Sequence, residues 1–363
     1  MNWVASYDEI VEKIRSINPV AYARTRNHLS GQVTHLSPYI TRGVVTLPQV
    51  RDLVLQRYST HEAKTFIQEL AWREYFQNVW DEKGDLIWED LRFPRSDYRH
   101  HELVTGIVMG QTGIRALDES VLTLQQTGYI HNHERMWLSA LSSNIARADW
   151  RMMSRFMYYY LLDGDIASNT LSWQWVAGTS VNKRYDMNQE LINGCGGVVE
   201  KDTYLDVERS AVQSINLPSE LEASTPFTFT TELPKGDAVA SVSNQTIYLY
   251  HPWHLSPTWR NETIPDRKIL VLEPSHFARY PVDSKVLSFI VDEAHKLHPT
   301  IEMWVGEVGD IDGFGSVKEV YSVAHPETRH FNAVLDERER LFPQVTGYHQ
   351  SFFKFWQECE KFL

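Results

Sequence analysis

The chain has 363 residues, of which 42% are hydrophobic and 23% are charged, a composition typical of a folded globular protein with room for two domains. No apolar run approaches the ~18 residues of a membrane span, and two distant cysteines exclude a disulfide framework, so we expect a reducing, cytoplasmic location and no membrane partner. The net charge of -12 lies mainly after residue 200 and argues against a surface coated for nucleic acid, although a cluster of arginines precedes that point.

Residues 1–200 predict a succession of helices, because apolar residues recur there at spacings of three and four. The clearest segments are SYDEIVEKI, LPQVRDLVLQRY, EAKTFIQELAWREYFQNVW, ALDESVLTLQQTG and ERMWLSALSSNIARADWRMMSRFMYYYLL. We therefore predict an all-helical domain over this part of the chain.

Two of these helices carry chemically unusual faces. Glu69, Trp72 and Arg73 fall at i, i+3 and i+4, and Asn132, Arg135 and Met136 repeat that spacing, so each trio lies on one helix face. If the first trio stood alone, a core tryptophan beside a surface ion pair would be the better explanation. His131 and His133 lie two positions apart with no HExxH or cysteine partner, so we expect no metal site.

The stretch DGDIASNTLSWQWVAG (163–178) gathers two acids, an asparagine and two tryptophans. One explanation is a turn made by Asp and Gly, followed by core tryptophans. The other is a flat, polar, redox-active ligand held by these side chains.

The composition and periodicity of the sequence change after the helical part. Residues 201–244 are polar and rich in Pro, Ser and Thr, which predicts a linker or an extended segment. From 245 to 363, short β-branched runs such as QTIYLYHPW and KILVLEPSHF alternate with helical stretches, which predicts a Rossmann-like α/β domain with a parallel sheet. Within it, GDIDGFGS is a weak phosphate-loop signal that is better explained as a plain turn.

Five segments, in this order, resemble the FAD-binding helical domain of DNA photolyases and cryptochromes across about residues 20–190. They are THLSPYITRGVVTLPQV, ELAWREYF, TGIRALDESVLTLQQTGYIHNHERM, DW and LLDGDIASNTLSWQWVAG. Members of that family normally begin with an α/β antenna domain. Here the α/β segment follows instead, as in a permuted order, and the identity of an antenna chromophore is left open.

The resemblance implies FAD as cofactor and a set of residues that bind it. Thr34 to Ser37 resemble the loop that holds the phosphates, and Asn169 resembles the asparagine facing flavin N5. The implied cofactor-binding residues are Tyr22, Thr34, His35, Leu36, Ser37, Arg73, Asn132, Arg135, Asp163, Asp165 and Asn169.

The same resemblance implies a pyrimidine dimer in UV-damaged DNA as substrate. Glu69 corresponds to a glutamate that contacts both the adenine and the dimer, and Trp72 and Trp175 to indoles that sandwich a flipped dimer. Arg26 joins this substrate-binding set. Met136 stands where enzymes for the pyrimidine–pyrimidone photoproduct carry histidine, which favours cyclobutane dimers.

An electron path is implied as well. Trp173 and Trp150 match the inner members of the family's tryptophan chain, and with Glu69 and Asn169 they make up the implied catalytic set. The outer tryptophan of that chain is missing, so Tyr98 is our suggestion for the terminal donor. Trp88 we interpret as a packing residue.

The resulting expectation is a monomeric deoxyribodipyrimidine photolyase, a carbon–carbon lyase that repairs cyclobutane dimers under blue light. The alternative is a cryptochrome-like photoreceptor without repair activity. Glu69, Trp72 and Trp175 favour repair. The acidic charge and the NTLSWQW segment, where photolyases read NNGGWQW, favour the photoreceptor. Phosphate contacts are expected from Arg147, Arg151, Lys183 and Arg184.

Overall fold

The computed structural model describes residues 3–363, in which a helical region is followed by a parallel sheet. Its α-helices are α1 (Tyr7–Arg15), α2 (Pro19–Thr25), α3 (Ser37–Thr41), α4 (Leu47–Leu55), α5 (Thr60–Lys83), α6 (Thr105–Val108), α7 (Arg115–Thr127), α8 (Asn132–Ala140), α9 (Trp150–Tyr160), α10 (Ile166–Ala177), α11 (Gln189–Gly196), α12 (Pro274–Arg279), α13 (Ser284–Leu297) and α14 (Phe352–Cys359). Its strands are β1 (Leu103–Val104), β2 (Ser224–Thr225), β3 (Thr246–Tyr250), β4 (Arg267–Leu272), β5 (Glu302–Val305), β6 (Glu319–Val323) and β7 (Val334–Asp336). Both the predicted helical region and the predicted parallel sheet are confirmed.

Side-chain caps fix where several helices begin. The Ser59 side chain caps α5 by accepting from the Glu62 N–H, and the Glu62 side chain accepts from the Ser59 N–H. Both hydrogen bonds of a capping box are therefore present. Asp165 caps α10 by accepting from the Ser168 N–H at 2.7 Å. The cap therefore also fixes the carboxylate of Asp165 at the start of the helix that carries Asn169 and Trp173.

Helix α10 lies at the centre of the helical region. It packs against α5, α8 and α9, which together supply most of the side chains discussed below. Since α10 is buried on most sides, its apolar residues do not follow a single stripe.

The segment from 201 to 245 runs along the helical region. Its strand β2 pairs antiparallel with β1, with Leu103 opposite Thr225. Leu205, Val212 and Leu221 are buried in the same apolar core as α7 to α10. The segment is therefore extended and packed along much of its length.

The five-stranded sheet has the order β5-β4-β3-β6-β7, and all neighbouring strands are parallel. The chain proceeds outward from β3 through β4 to β5 and then returns to the other side of β3. The order thus reverses between β3 and β6, where open α/β sheets commonly bind ligands at the carboxyl ends of their strands.

After the sheet, the chain returns to the helical region. Helix α14 packs on α5, and the buried carboxylate of Glu74 accepts from the backbone N–H groups of Leu341 and Phe342, the latter at 3.0 Å. The two parts of the molecule therefore share a core through residues far apart in sequence.

Candidate cofactor and substrate site

A cavity of about 520 Å³ lies within the helical region, between α2, α3, α5, α8, α9 and α10. The wall contains most of the site residues predicted from sequence: Tyr22, Arg26, Thr34, His35, Ser37, Glu69, Trp72, Arg73, Asn132, Arg135, Met136, Asp163, Asp165, Asn169, Trp173 and Trp175. Segments far apart along the chain thus bring their polar and aromatic side chains to one space.

Two predicted residues lie outside the wall. Leu36 is 1% exposed and packs in the core, and its N–H already donates to the Thr34 hydroxyl at 3.4 Å. Trp150 is fully buried behind the wall, where its indole N–H donates to Asp90 at 2.9 Å.

Asp163 is held by a buried ion pair. Arg135 Nη2 lies 2.9 Å from Asp163 Oδ2, and Arg135 Nε donates to the backbone oxygen of Ile130. Burial disfavours the charged guanidinium, but the Asp163 carboxylate more than offsets this and raises the pKa of Arg135. The other oxygen of Asp163, Oδ1, is buried without a hydrogen-bond partner.

Asp165 is engaged more completely. Besides capping α10, it accepts from Gln77 Nε2 at 2.6 Å and pairs with Arg73 at 3.4 Å. Arg73 also donates to the Thr41 hydroxyl at 2.9 Å. This network fixes the guanidinium of Arg73 in the cavity wall.

Glu69 forms an ion pair with Arg26 at 3.1 Å, and both side chains are about a third exposed. Burial raises the pKa of Glu69, and the nearby Arg26 partly opposes that effect. Glu69 is thus a carboxyl group whose protonated form is favoured relative to an exposed glutamate.

The cavity contains buried polar atoms that lack a partner. They are His35 Nδ1, His131 Nε2, His133 Nδ1, Ser139 Oγ, Asp163 Oδ1 and Ser168 Oγ. Buried polar atoms are nearly always hydrogen-bonded in folded proteins, so this group fits a ligand that offers both donors and acceptors. Burial lowers the pKa of His131 to about 4, which keeps its imidazole neutral at pH 7. FAD, with its ring amides, hydroxyls and phosphates, suits this set.

His131, His133 and Ser168 were not among the predicted cofactor residues. The histidines were weighed only as metal ligands, for which their spacing is poor. In the structure His131 caps α8 by accepting from the His133 N–H at 3.0 Å. Among residues 3–363, no group of three or more His, Cys, Asp or Glu side chains is arranged to hold a metal ion.

The aromatic ring stacked on Trp150 is Trp88. The two indoles are nearly parallel, with centroids 6.4 Å apart and planes at 6°. Trp88 in turn stacks on Tyr280 at 5.9 Å and donates to its hydroxyl at 3.3 Å. Tyr98 has its ring contact with His101 and a cation contact with Arg95.

The predicted phosphate-binding residues differ in availability. Arg151 pairs with Glu89 and Asp149, each at 3.0 Å, and Arg184 pairs with Asp97 at 2.8 Å. Arg147 and Lys183 are exposed. Two of the four cations are therefore already compensated by carboxylates.

A second cavity, of about 720 Å³, was not predicted from the sequence. It lies between the carboxyl ends of β3, β6 and β7 and the helices α3 to α5. Trp253, Trp259 and five arginines line it, and its wall shares Arg73 and Asp165 with the first cavity. No local sequence signal marks this space, because its wall comes from both parts of the molecule.

Comparison with known proteins agrees with this geometry. Residues 66–194 match the model of the FAD binding domain of DNA photolyase. That segment contains most of α5 and all of α8, α9 and α10, the helices that carry most of the cavity wall. These features define a flavin-binding helical domain of the photolyase type. Over this segment the chain is similar to members of the photolyase/cryptochrome family.

The similar curated proteins match only in part. A deoxyribodipyrimidine photo-lyase of Streptomyces griseus is 31% identical over 166 residues, which are 45% of this chain and 36% of that protein. A cryptochrome DASH of Natronomonas pharaonis is 26% identical over 252 residues, 66% of this chain and 46% of that protein. The chain thus spans between a third and a half of the length of these relatives.

Solved structures give a similar result. A cryptochrome from Synechocystis superposes with a TM-score of 0.47 at 20% identity and covers 54% of this chain and 44% of its own. A bacterial class III photolyase from Agrobacterium tumefaciens superposes with a TM-score of 0.41 at 23% identity and covers 47% of this chain and 37% of its own.

Within residues 3–363 no helix is both long and apolar enough to cross a membrane.

Proposed function

We propose that this protein repairs cyclobutane pyrimidine dimers in UV-damaged DNA, using FAD bound in the helical cavity and blue light. The observation that carries the proposal is the wall of that cavity, where Glu69, Trp72 and Trp175 lie together with the predicted cofactor residues. When bound and reduced, FAD supplies a light-excited electron donor.

The chain's own residues would hold and orient the reactants. Asp163 and its partner Arg135, with Arg73 and Asn169, would bind and orient the flavin. Asn169 donates through Nδ2 to the backbone oxygen of Ser154 at 2.9 Å, which fixes the orientation of its amide. The amide oxygen Oδ1 then remains to accept a hydrogen bond from the flavin.

Glu69, Trp72 and Trp175 would receive the flipped dimer. Trp175 is 36% exposed and so reaches the mouth of the cavity. Its indole can replace stacking that the dimer loses on leaving the duplex. The Glu69 carboxyl group, whose pKa is raised by burial, can form a hydrogen bond with the dimer and stabilise charge that develops on it.

A flavin photoreceptor without repair is the second candidate. Its supporting observation is the set of ion pairs that occupy Arg151 and Arg184, which reduces the positive charge available to DNA phosphates.

The two candidates differ in one experiment. Purified protein, with its flavin chemically reduced, is mixed with an oligonucleotide containing a single cyclobutane dimer and exposed to blue light. We expect restored thymines in the light and none in the dark, in single- or double-stranded DNA at low salt. Photochemically active flavin with no repair in either DNA form would favour the photoreceptor.

We also propose the second cavity as the place for an antenna chromophore. It lies at the reversal point of the sheet order, and it offers tryptophan faces and arginine donors to a planar, polar ring system. An extra absorption band beyond the flavin bands, lost when Trp253 or Trp259 is replaced by Ala, would support this. Flavin bands alone, after expression with deazaflavin and folate supplied, would contradict it.

A further inference from the structure

One face of Trp72 is covered by the chain that follows the sheet. The Phe352 ring stacks on the Trp72 indole with centroids 3.6 Å apart and planes at 10°. Phe352 is only 3% exposed, so this stack is part of the core. Trp72, which lines the cavity, is therefore held in place by a residue 280 positions further along the chain.

The segment leading into α14 is tied to the opposite side of the cavity mouth. Arg92 donates from its guanidinium to the Gln350 oxygen at 3.3 Å. Its backbone N–H donates to the Thr179 oxygen at 3.0 Å, just beyond the end of the helix that carries Trp175. Arg92 thus links the α14 segment to the helix of the second cavity indole.

Phe353 is the exposed member of this group. Its side chain is 65% exposed, and its ring lies 6.4 Å from Trp72 and 5.6 Å from Phe352, edge-on to both. A single exposed apolar residue is ordinary, but this ring continues an aromatic series that begins inside the cavity. The exposed Lys354 follows it, and Arg92 lies nearby, so two cationic side chains are close to the ring.

We propose that Phe353 stacks on the base next to the extruded dimer. This inference rests on the proposed repair function. When a dimer leaves the duplex, its neighbour loses a stacking partner, and an exposed ring beside the pocket can take that place. Lys354 and Arg92 would form ion pairs with the adjoining phosphates.

Binding of two DNA probes tests the proposal. One probe carries a single cyclobutane dimer and the other has the same sequence undamaged. Because stacking on an aromatic side chain contributes about 1–3 kcal/mol per base, we expect Phe353→Ala to weaken binding of the dimer probe by about 5- to 150-fold. Binding of the undamaged probe should change little. Phe353→Trp should restore affinity.

A fluorescent base distinguishes stacking from a structural effect. With 2-aminopurine placed next to the dimer, the base should fluoresce less in the complex with wild-type protein than in the complex with Phe353→Ala, because stacking quenches its fluorescence. Phe362→Ala serves as the matched control, since it removes a ring that is 50% exposed from the same end of the structure. Flavin content and thermal unfolding should match wild type in both variants.

The outcomes separate the inference from the function beneath it. Normal dimer binding and unchanged fluorescence in Phe353→Ala, with repair intact, would overturn the inference alone. A wild-type protein that neither binds nor repairs dimers would overturn both. A concentration-dependent dimer of the protein that Phe353→Ala dissociates would also overturn it, by assigning the ring to contact between copies of the chain.

Discussion

Trp173 is 2% exposed and lines the helical cavity, while Trp150 lies buried behind it on the neighbouring helix. We expect Trp173→Phe to slow photoreduction of oxidised FAD strongly, because phenylalanine is much harder to oxidise than tryptophan. Flavin content should remain unchanged. The measurement is the rate of bleaching of the oxidised flavin bands under blue light with a thiol as final reductant. Trp80→Phe, also buried, is the control, and equal rates in both variants would contradict the prediction.

Glu69 should matter more for the yield of repair than for binding. Its raised pKa and its contact with Arg26 suit a group that stabilises charge during the reaction. We expect Glu69→Ala to lower the quantum yield of dimer splitting several-fold while dimer affinity falls less. Glu69→Gln, which still offers a hydrogen-bond donor, should recover part of the yield. A loss confined to affinity would assign Glu69 to binding only.

We propose Trp88, rather than Tyr98, as the outer end of the electron path that the family resemblance implies. Trp88 stacks on Trp150, and its indole contacts the Tyr280 hydroxyl, whereas the Tyr98 ring contacts His101. We expect Trp88→Phe to shorten the lifetime of the oxidised tryptophan seen by transient absorption, because the charge would remain on Trp150, closer to the cavity. Tyr98→Phe should leave that lifetime unchanged, and the reverse result would restore Tyr98 as the terminal donor.

At the scale of elements, the end of α7 supports the loop that carries Asp163. Gly128 ends the helix at a φ of +74°, and its carbonyl accepts from the Leu162 N–H at 2.9 Å. A Cβ at this position would lie 2.7 Å from Leu162 Cγ and 3.0 Å from the Tyr160 oxygen. Substitution here therefore combines backbone strain with a collision.

We expect Gly128→Ala to lower the free energy of unfolding by about 2 kcal/mol or more and to reduce flavin content. Gly197→Ala is the matched control, because Gly197 also caps a helix at positive φ but has open space around it. That variant should lose only about 1 kcal/mol. Denaturant titration of the two variants measures the difference, and equal losses would show that the collision is relieved at little cost.

The sequence predicted elements and contacts that lie close together along the chain. The resemblance of five short motifs to the photolyase family named the cavity residues from Tyr22 to Trp175, and helix periodicity placed each trio on one helix face. The stack of Phe352 on Trp72, the Trp88 pair and the second cavity depend on how distant segments pack. Such contacts leave no periodic signal, and so Trp88 was interpreted as packing and Phe353 was not singled out.

At the scale of the whole molecule, the junction between sheet and helices contains buried neutral histidines. Burial lowers the pKa of His251 to about 4 and those of His254 and His325 well below the usual value. These groups bind protons more weakly when folded, so their contribution to stability is present above pH 6.5 and is lost as the pH falls from there toward 4.

We therefore expect these histidines to contribute a loss of at least about 1 kcal/mol to the free energy of unfolding between pH 6.5 and 4.5, opposed by Glu293, whose pKa burial raises to about 7. His251→Gln should remove the share of His251 and so make the loss of stability toward low pH smaller than in wild type, whereas the exposed His61→Gln should not change it. Denaturant titrations across that pH range provide the measurement. A wild-type profile with the same pH dependence as His251→Gln would show that the pKa of His251 is not lowered in the folded protein.

The bond between Glu74 and the chain around Leu341 spans 267 residues, and this separation has a consequence during translation. At about 5–20 residues per second, a ribosome needs roughly 15–50 s to reach position 341 after it has made α5. Throughout that interval Glu74 lacks its two backbone donors and Trp72 lacks the ring that covers it. The nascent helical region therefore emerges with one aromatic wall of its cavity uncovered, and a chaperone that recognises apolar surface has that interval in which to bind it.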